Sequence, residues 1–468
     1  MTHREAGASP AGSTQLNMLK LYNTLSRKKE TFKPIKKTVG IYSCGPTVYW
    51  NQHIGNMYAY IQWDAMVRFF KYQNYKVKWV MNITDVGHLT SDEDTGQDKM
   101  EKGAKRESLT VKQIANKYTK QFLESLDLLN IQKPNVLCKA TDHIKEQIDL
   151  IKKIEKNGFT YKTKTGLVFD TSKFPNYAKF AKLKLNKQKT CARVKIDPEK
   201  KNPWDFLLWI TNQPNHILKW KSPWGIGFPG WHIECTAMSV KYLGKEFDIH
   251  TGGIEHISVH HTNEIAQAYG AFKKQTAKYW LHNQWLLIDN TKVSKSLGNT
   301  IITQELKNPL AFRYLALTSH YRQGLNFSYK ALESSEIALN NLRELVAEFK
   351  KDKSKVRNIK PYTDKFIKLI ENDLNFAQGL ALIWKITKDK KLNNKEKYTL
   401  ITDFDKVLNL DLNKPIRIPE NIKRLAKQRE KYRKEKNWNK ADGIRKQIEK
   451  QGFQIEDTKK GTQIKKGC

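Results

Sequence analysis

A run near the N-terminus, in which strand, turn, helix and strand patterns follow one another, restricts the possible folds most. Thr38 to Ser43 reads as a buried strand running into Cys44-Gly45-Pro46, a turn signal. From Met57 to Phe70, apolar residues recur at helical spacing at Met57, Ile61, Ala65, Phe69 and Phe70. Lys76 to Ile83 reads as a second strand. Strand, glycine-containing turn, helix and strand make the βαβ unit of a parallel sheet, so an α/β fold is expected. A longer amphipathic helix follows, with Val111, Ile114, Ala115, Tyr118, Phe122 and Leu126 on one face.

From about Cys138 to Trp220 the pattern changes: short strand-like pieces such as Leu167-Val168-Phe169-Asp170 sit among Lys-rich loops, as in an insertion. Sheet-like patterning resumes at Phe247-Asp248-Ile249-His250 and at Trp285-Leu286-Leu287-Ile288. After Ser328 the pattern is helical for some eighty residues and breaks at Pro415 and Pro419, before a basic helix from Asn421 to Lys436. Lys and Arg number 84 against 47 acids, a formal charge of +37, which predicts attraction to polyanions. A solvated Lys- and Asn-rich surface is the alternative reading of that charge. No apolar stretch approaches the roughly 18 residues of a membrane span, and no apolar signal core opens the chain, so no membrane partner and a cytoplasmic location are expected. The five cysteines (Cys44, Cys138, Cys191, Cys235, Cys468) are few and far apart, against a disulfide framework.

Two motifs point to a nucleotide. Pro46-Thr47-Val48-Tyr49-Trp50-Asn51-Gln52-His53-Ile54-Gly55-Asn56 lies where the first strand hands over to a helix, a place whose amides and dipole favour phosphate. There His53 can donate to phosphate oxygens and Gly55 lets the backbone approach. Lys292-Val293-Ser294-Lys295-Ser296-Leu297-Gly298-Asn299 sets two lysines around small hydroxyl residues, able to clamp a triphosphate and stabilise departing pyrophosphate. Seen singly, these are also a turn histidine and an exposed basic loop. A third set joins Cys44, Cys235, His260 and Glu264; the spacing of four puts His260 and Glu264 on one helix face. Two thiolates, an imidazole and a carboxylate make a four-ligand zinc site, although each residue alone also reads as structural.

Together the first two motifs resemble the HIGH and KMSKS signatures of class I aminoacyl-tRNA synthetases. With the third set, the chain resembles the cysteinyl-tRNA synthetases from Met18-Leu19-Lys20-Leu21-Tyr22-Asn23-Thr24 to Ile455-Glu456-Asp457-Thr458. Other matching stretches are Asn82-Ile83-Thr84-Asp85, Pro223-Trp224-Gly225, Ser319-His320-Tyr321-Arg322 and Trp438-Asn439-Lys440-Ala441-Asp442. The resemblance implies a Rossmann-type catalytic domain in two halves, 18–137 and 221–290, split by a connective insertion, 138–220. Then come a signature-loop segment, 291–335, a helical bundle, 336–412, and an anticodon-binding domain, 413–468. Residues 1–17 read as an N-terminal extension.

It further implies Cys44, Cys235, His260 and Glu264 as ligands of one Zn2+ per chain, and Thr84 and Trp231 as the cysteine pocket. Thr47, His53, Gly55, Asn56, Lys292, Ser294 and Lys295 would bind ATP with Mg2+, with His53, Lys292 and Lys295 catalytic. The implied reaction activates L-cysteine with ATP and transfers it to tRNA(Cys), by a monomer. The chain departs from the commoner pattern at Asn56 (usually His), Val293 (Met) and Thr262 (Glu). After Asp85, Gly87-His88-Leu89 and a longer stretch through Asp98-Lys99 replace an acidic pair and lysine. Two rival readings are a related ligase joining cysteine to an amino sugar, which has no reason to keep an anticodon domain, and a non-catalytic RNA-binding relative.

Overall fold

The computed structural model describes residues 19–86, 98–182, 198–293, 298–414, 420–458 and 461–466. Strands Thr38–Ser43 and Lys76–Ile83 flank helix Ile54–Tyr72, as the pattern predicts. Met57, Ile61, Ala65, Phe69 and Phe70 are all buried on that helix, because residues three and four apart share the face that meets the sheet. The next long helix is Val111–Leu128, begun by Thr110, whose hydroxyl accepts from Gln113 N at 3.2 Å.

The central sheet has five strands, all parallel, in the order Ala277–Asn283, Phe247–Gly253, Thr38–Ser43, Lys76–Ile83, Val136–Lys139. Ile41 lies opposite Ile249 on one side and Trp79 on the other. Alternate strand residues feed two cores. Ile41, Met81 and Ile249 pack with helix Ile54–Tyr72, whereas Tyr42, Val80 and Trp280 pack with residues of helix Trp231–Leu243. The order of strand addition reverses beside Thr38–Ser43, and ligands of such sheets bind at that reversal, beyond the carboxyl ends of the strands.

Three details differ from the sequence reading. The strand near Trp285 is Leu286–Ile288, and it leaves the parallel sheet to pair with Thr291–Lys292 and Leu325–Phe327. The fifth parallel strand is Ala277–Asn283, hidden in the sequence because Lys278 interrupts it and it ends on His282 and Asn283. Strand Val136–Lys139 spans the boundary expected between 137 and 138.

Three strands of the insertion, Thr160–Thr163, Gly166–Phe169 and Phe206–Ile210, form a four-stranded antiparallel sheet with Phe228–Pro229, which lies beyond the boundary expected at 220. Helices Tyr329–Phe349, Lys360–Glu371, Phe376–Lys388 and Asn394–Leu408 form the bundle. Arg313, fully buried, ties it to the sheet domain: its guanidinium donates to Asp64 at 2.6 Å, Leu408 O at 2.7 Å and Leu129 O at 3.0 Å. Removing the Asp64 carboxylate leaves the buried Arg313 guanidinium without its counter-ion, a loss of about 3–5 kcal/mol. The last region pairs helices Glu420–Lys434 and Trp438–Lys450 with the hairpin Phe453–Thr458 and Gly461–Lys466 around a small core of its own. Pro415 and Pro419 lie outside the described residues. Among the described residues, no helix is long and apolar enough to cross a membrane.

Candidate active site

The first signature and the described start of the second, Lys292 and Val293, meet in one cavity. Ile54 N donates to Ile301 O at 2.8 Å and His53 bridges to Ile302, so the helix that follows the first signature starts against the segment after the second. A Cβ on Gly55 would stand 2.9 Å from His53 Nδ1, so only glycine leaves that ring its place. Asn56 has a local role that explains its presence: its Oδ1 accepts from His53 N at 3.3 Å and closes the first turn. Thr47 bridges to Thr84, with Thr84 N donating to Pro46 O at 3.0 Å. Lys292 is exposed, its ammonium 4.4 Å from the Trp285 ring centre. Ser294 and Lys295 lie outside the described residues.

A cavity of about 390 Å³ links these groups. Thr47, His53, Gly55, Asn56 and Lys292 line one part of it, and Cys44, Thr84, Trp231, Cys235 and His260 another. Thr84 is held from two sides: its hydroxyl donates to Glu234 Oε2 at 3.0 Å and accepts from Asn82 Nδ2 at 3.0 Å. Burial pushes the Glu234 carboxyl well above its ordinary range. Trp231 opens helix Trp231–Leu243 and lies against His260, ring centres 4.5 Å apart. Lys99 also reaches the cavity, its ammonium 6.0 Å from the Trp231 ring centre. Asp85 faces elsewhere, accepting from Thr141 N and Oγ1 at 3.0 and 2.7 Å.

The four expected metal ligands come together. Cys44 ends strand Thr38–Ser43, Cys235 lies in the first turns of Trp231–Leu243, and His260 and Glu264 lie one turn apart on His260–Phe272. One donor atom from each lies within 4.8 Å of the others, with His260 Nε2 at 3.1 Å from Glu264 Oε1. Burial raises the Cys44 thiol, and its hydrogen bond to Cys235 raises it further. Burial also opposes ionisation of Cys235, but the bond from Cys44 and the neighbouring His260 outweigh it and bring that thiol down to about 7. Burial pushes the Glu264 carboxyl well above its ordinary range. This donor set is compatible with zinc.

A second set shares two members. His250 and His261, both fully buried, place Nε2 atoms 3.5 and 3.2 Å from Cys44 Sγ. Three members of the set with Cys235 and His260 line the cavity (Cys44, Cys235 and His260), against Cys44 alone in the second set. His260 Nδ1 meets His232 Nδ1 at 3.0 Å, and burial, with His260 and His256 nearby, holds His232 neutral. In the tautomer in which His232 accepts from His260, His260 Nε2 is left for a metal.

Sequence reasoning missed His232, Glu234, His250 and Lys99. The signal for three of them was legible as polar residues inside otherwise apolar elements, His232 and Glu234 beside Cys235 and His250 within a buried strand.

Residues 31–337 match the family described as tRNA synthetases class I (C) catalytic domain. A cysteine–tRNA ligase of Treponema denticola is 42% identical, covering 96% of this chain and 99% of that protein. Cysteine–tRNA ligase 1 of Burkholderia lata is 42% identical over 95% and 96% of the two chains, and the enzyme of Borreliella burgdorferi 40% over 96% and 100%. Among solved structures, methionyl-tRNA synthetase of Mycobacterium tuberculosis with methionyl-adenylate superposes with a TM-score of 0.54 at 14% identity, over 80% of this chain and 90% of that one, a likeness of fold. With the class I catalytic-domain model matched over residues 31–337 and relatives matched along nearly their whole length, this chain belongs to the cysteine–tRNA ligase family of class I aminoacyl-tRNA synthetases.

Proposed function

We propose that this chain charges tRNA(Cys) with L-cysteine at the expense of ATP. The observation carrying this reading is one cavity that joins two thiols and an imidazole, with the Glu264 carboxylate within 4.8 Å of all three, to a phosphate-type helix start. In the first step a cysteine carboxylate oxygen attacks the α-phosphorus of ATP and the bond to pyrophosphate breaks, giving cysteinyl-adenylate. A ribose hydroxyl of the terminal adenosine then attacks the adenylate carbonyl, and AMP leaves. Neither step needs a protein nucleophile, so positioning and charge stabilisation carry the rate.

His53 donates to phosphate oxygens at the helix start, while Lys292 and Lys295 meet the charge that develops on pyrophosphate. Thr47, Gly55, Asn56 and Ser294 shape the ATP seat, and Mg2+ enters with the nucleotide. Trp231 walls the cysteine seat. Thr84, with its proton committed to Glu234, keeps a lone pair for the substrate ammonium. Cys44, Cys235, His260 and Glu264 would hold one zinc ion, which when bound favours a thiolate over a neutral hydroxyl. Residues 413–468 grip the anticodon arm, and the enzyme works as a cytoplasmic monomer.

The test is aminoacylation of purified tRNA(Cys) with cysteine beside serine. Cysteine should win by more than the roughly 10- to 200-fold that a methylene-sized difference in shape gives. Equal charging with serine, or cysteine-dependent pyrophosphate exchange with no charged tRNA, would overturn the reading.

A further inference from the structure

We propose that Trp285 is a positioning residue for Lys292, an aromatic platform that Glu255 fixes in place. Lys292 Nζ stands 4.4 Å from the centre of the Trp285 ring. The indole N–H of the same residue donates to Glu255 Oε2 at 2.9 Å. All three line the cavity, and they come from three pieces of chain. Glu255 lies in the turn after strand Phe247–Gly253, Trp285 between strands Ala277–Asn283 and Leu286–Ile288, and Lys292 in strand Thr291–Lys292.

Burial does not explain Trp285, which is 41% exposed. Its two contacts, a cation over the ring and an anion on the N–H, suit it to holding charge instead. A lysine has a four-carbon stem to immobilise before its ammonium can meet a phosphate reproducibly. The ring quadrupole attracts that ammonium, and a carboxylate accepting from the indole N–H pushes electron density into the ring and strengthens the pull. The backbone supports the arrangement at both ends. Asp289 and Asn290 both take left-handed φ values, 46° and 62°, as a two-residue hairpin turn requires, and this sets Lys292 opposite Leu287. A Cβ on Gly253 would collide with the Glu255 carboxylate, so glycine there gives Glu255 its place.

The inference rests on the reading that Lys292 meets ATP phosphates, and its test separates the two. Cysteine-dependent pyrophosphate exchange is measured for Lys292→Met, Trp285→Leu, Trp285→Phe, Glu255→Gln and the double variant Trp285→Leu/Lys292→Met, with kcat and the KM for each substrate resolved. Metal content and thermal midpoint check that each variant folds. Lys292→Met should cost on the order of 10²-fold in kcat. Trp285→Leu should cost about fivefold in kcat with the cysteine KM unchanged, as loss of an exposed cation–π contact predicts. Trp285→Phe keeps a ring, and Glu255→Gln keeps an acceptor; each should stay within about threefold. In the Lys292→Met background, Trp285→Leu should cost less than about twofold more, since coupled residues do not add. Losses that multiply in the double variant overturn the platform role, as does a Phe variant as poor as the Leu variant. Should Trp285→Leu not fold, the Phe and Gln variants still decide, because a loss above about fivefold in either contradicts the role. Normal exchange by Lys292→Met would instead overturn the phosphate reading on which this one stands.

Discussion

The two ends of the cavity are built on different principles. At the thiol end, Cys235, His260 and Glu264 are 1%, 2% and 3% exposed, and each sits on a helix packed against the parallel sheet. At the phosphate end, Lys292 is exposed on a two-residue strand, and Trp285 beside it is 41% exposed. The difference follows from what each end must do. Telling sulfur from oxygen requires donors held in advance at fixed separations in a dry setting, where burial makes an unpaired charge costly. A triphosphate carries enough charge to organise exposed cations, and pyrophosphate must leave again. Selectivity is built where the fold is stiffest, and turnover where it is most open.

If that division holds, variants at the thiol end should remove metal and cysteine recognition together, and they should show the largest effects. Cys235→Ser and His260→Ala should reduce zinc below one ion per chain by elemental analysis. Their loss of cysteine-dependent exchange should exceed the roughly 10- to 100-fold that follows removal of a ligand's hydrogen-bond partner. Cys138→Ala should keep its zinc, because the Cys138 thiol donates to Met81 O at 3.4 Å and belongs to neither donor set. Full exchange activity in a zinc-free Cys235→Ser protein would break the comparison.

Lys295→Ala should come next, at on the order of 10²- to 10³-fold in adenylate formation, as for removal of one charge-stabilising donor. Its zinc content should remain at one, so the two ends fail separately. A smaller effect belongs to His232→Ala, which takes away the acceptor that orients His260. About 10- to 100-fold weaker metal binding is expected by competition with a chelator. Unchanged affinity would mean that the 3.0 Å contact between the two rings does not set the tautomer of His260.

The thiol end was also the more legible in sequence. Cys44, Cys235, His260 and Glu264 were readable because their residue types are restricted by metal chemistry and the last two by helical spacing. The βαβ start was legible because buried strands and an amphipathic helix have distinct periods, and Thr38–Ser43 and Lys76–Ile83 form at the predicted residues. Less was visible where a residue's role depends on a partner far along the chain. Glu255 has no local signature; its meaning comes from Trp285, thirty residues on. Strand Ala277–Asn283 was missed because its polar end, His282, serves the interior, where it bonds His261 Nδ1 at 2.7 Å and Thr24 Oγ1 at 2.8 Å. His250 could be read as a polar residue in a buried strand, but nothing local ties it to His261 and His282, which the fold brings beside it and burial holds neutral with it.

The smallest effect on exchange should come from the far end of the chain, where the comparison can be sharpened most cheaply. Helices Glu420–Lys434 and Trp438–Lys450, with the final hairpin, enclose a core of Ile422, Ala426, Ile444, Ile448, Phe453 and Ile455. Arg429 grips Asp457 through two 2.9 Å bonds, which fixes the hairpin on the basic helix. Trp438 is 56% exposed, with Arg433 5.8 Å from its ring centre, a surface on which a splayed base can stack. None of these residues contributes to the cavity or to either donor set. Deleting residues 415–468 should therefore leave cysteine-dependent exchange within about twofold, as independent sites predict. Binding of tRNA should weaken sharply, and the salt dependence of what remains should flatten, because fewer counterions are released. Both activities should be measured on one folded preparation at two salt concentrations. Undiminished tRNA affinity would remove the anticodon role from this region, and loss of exchange would show that its packing reaches the cavity after all.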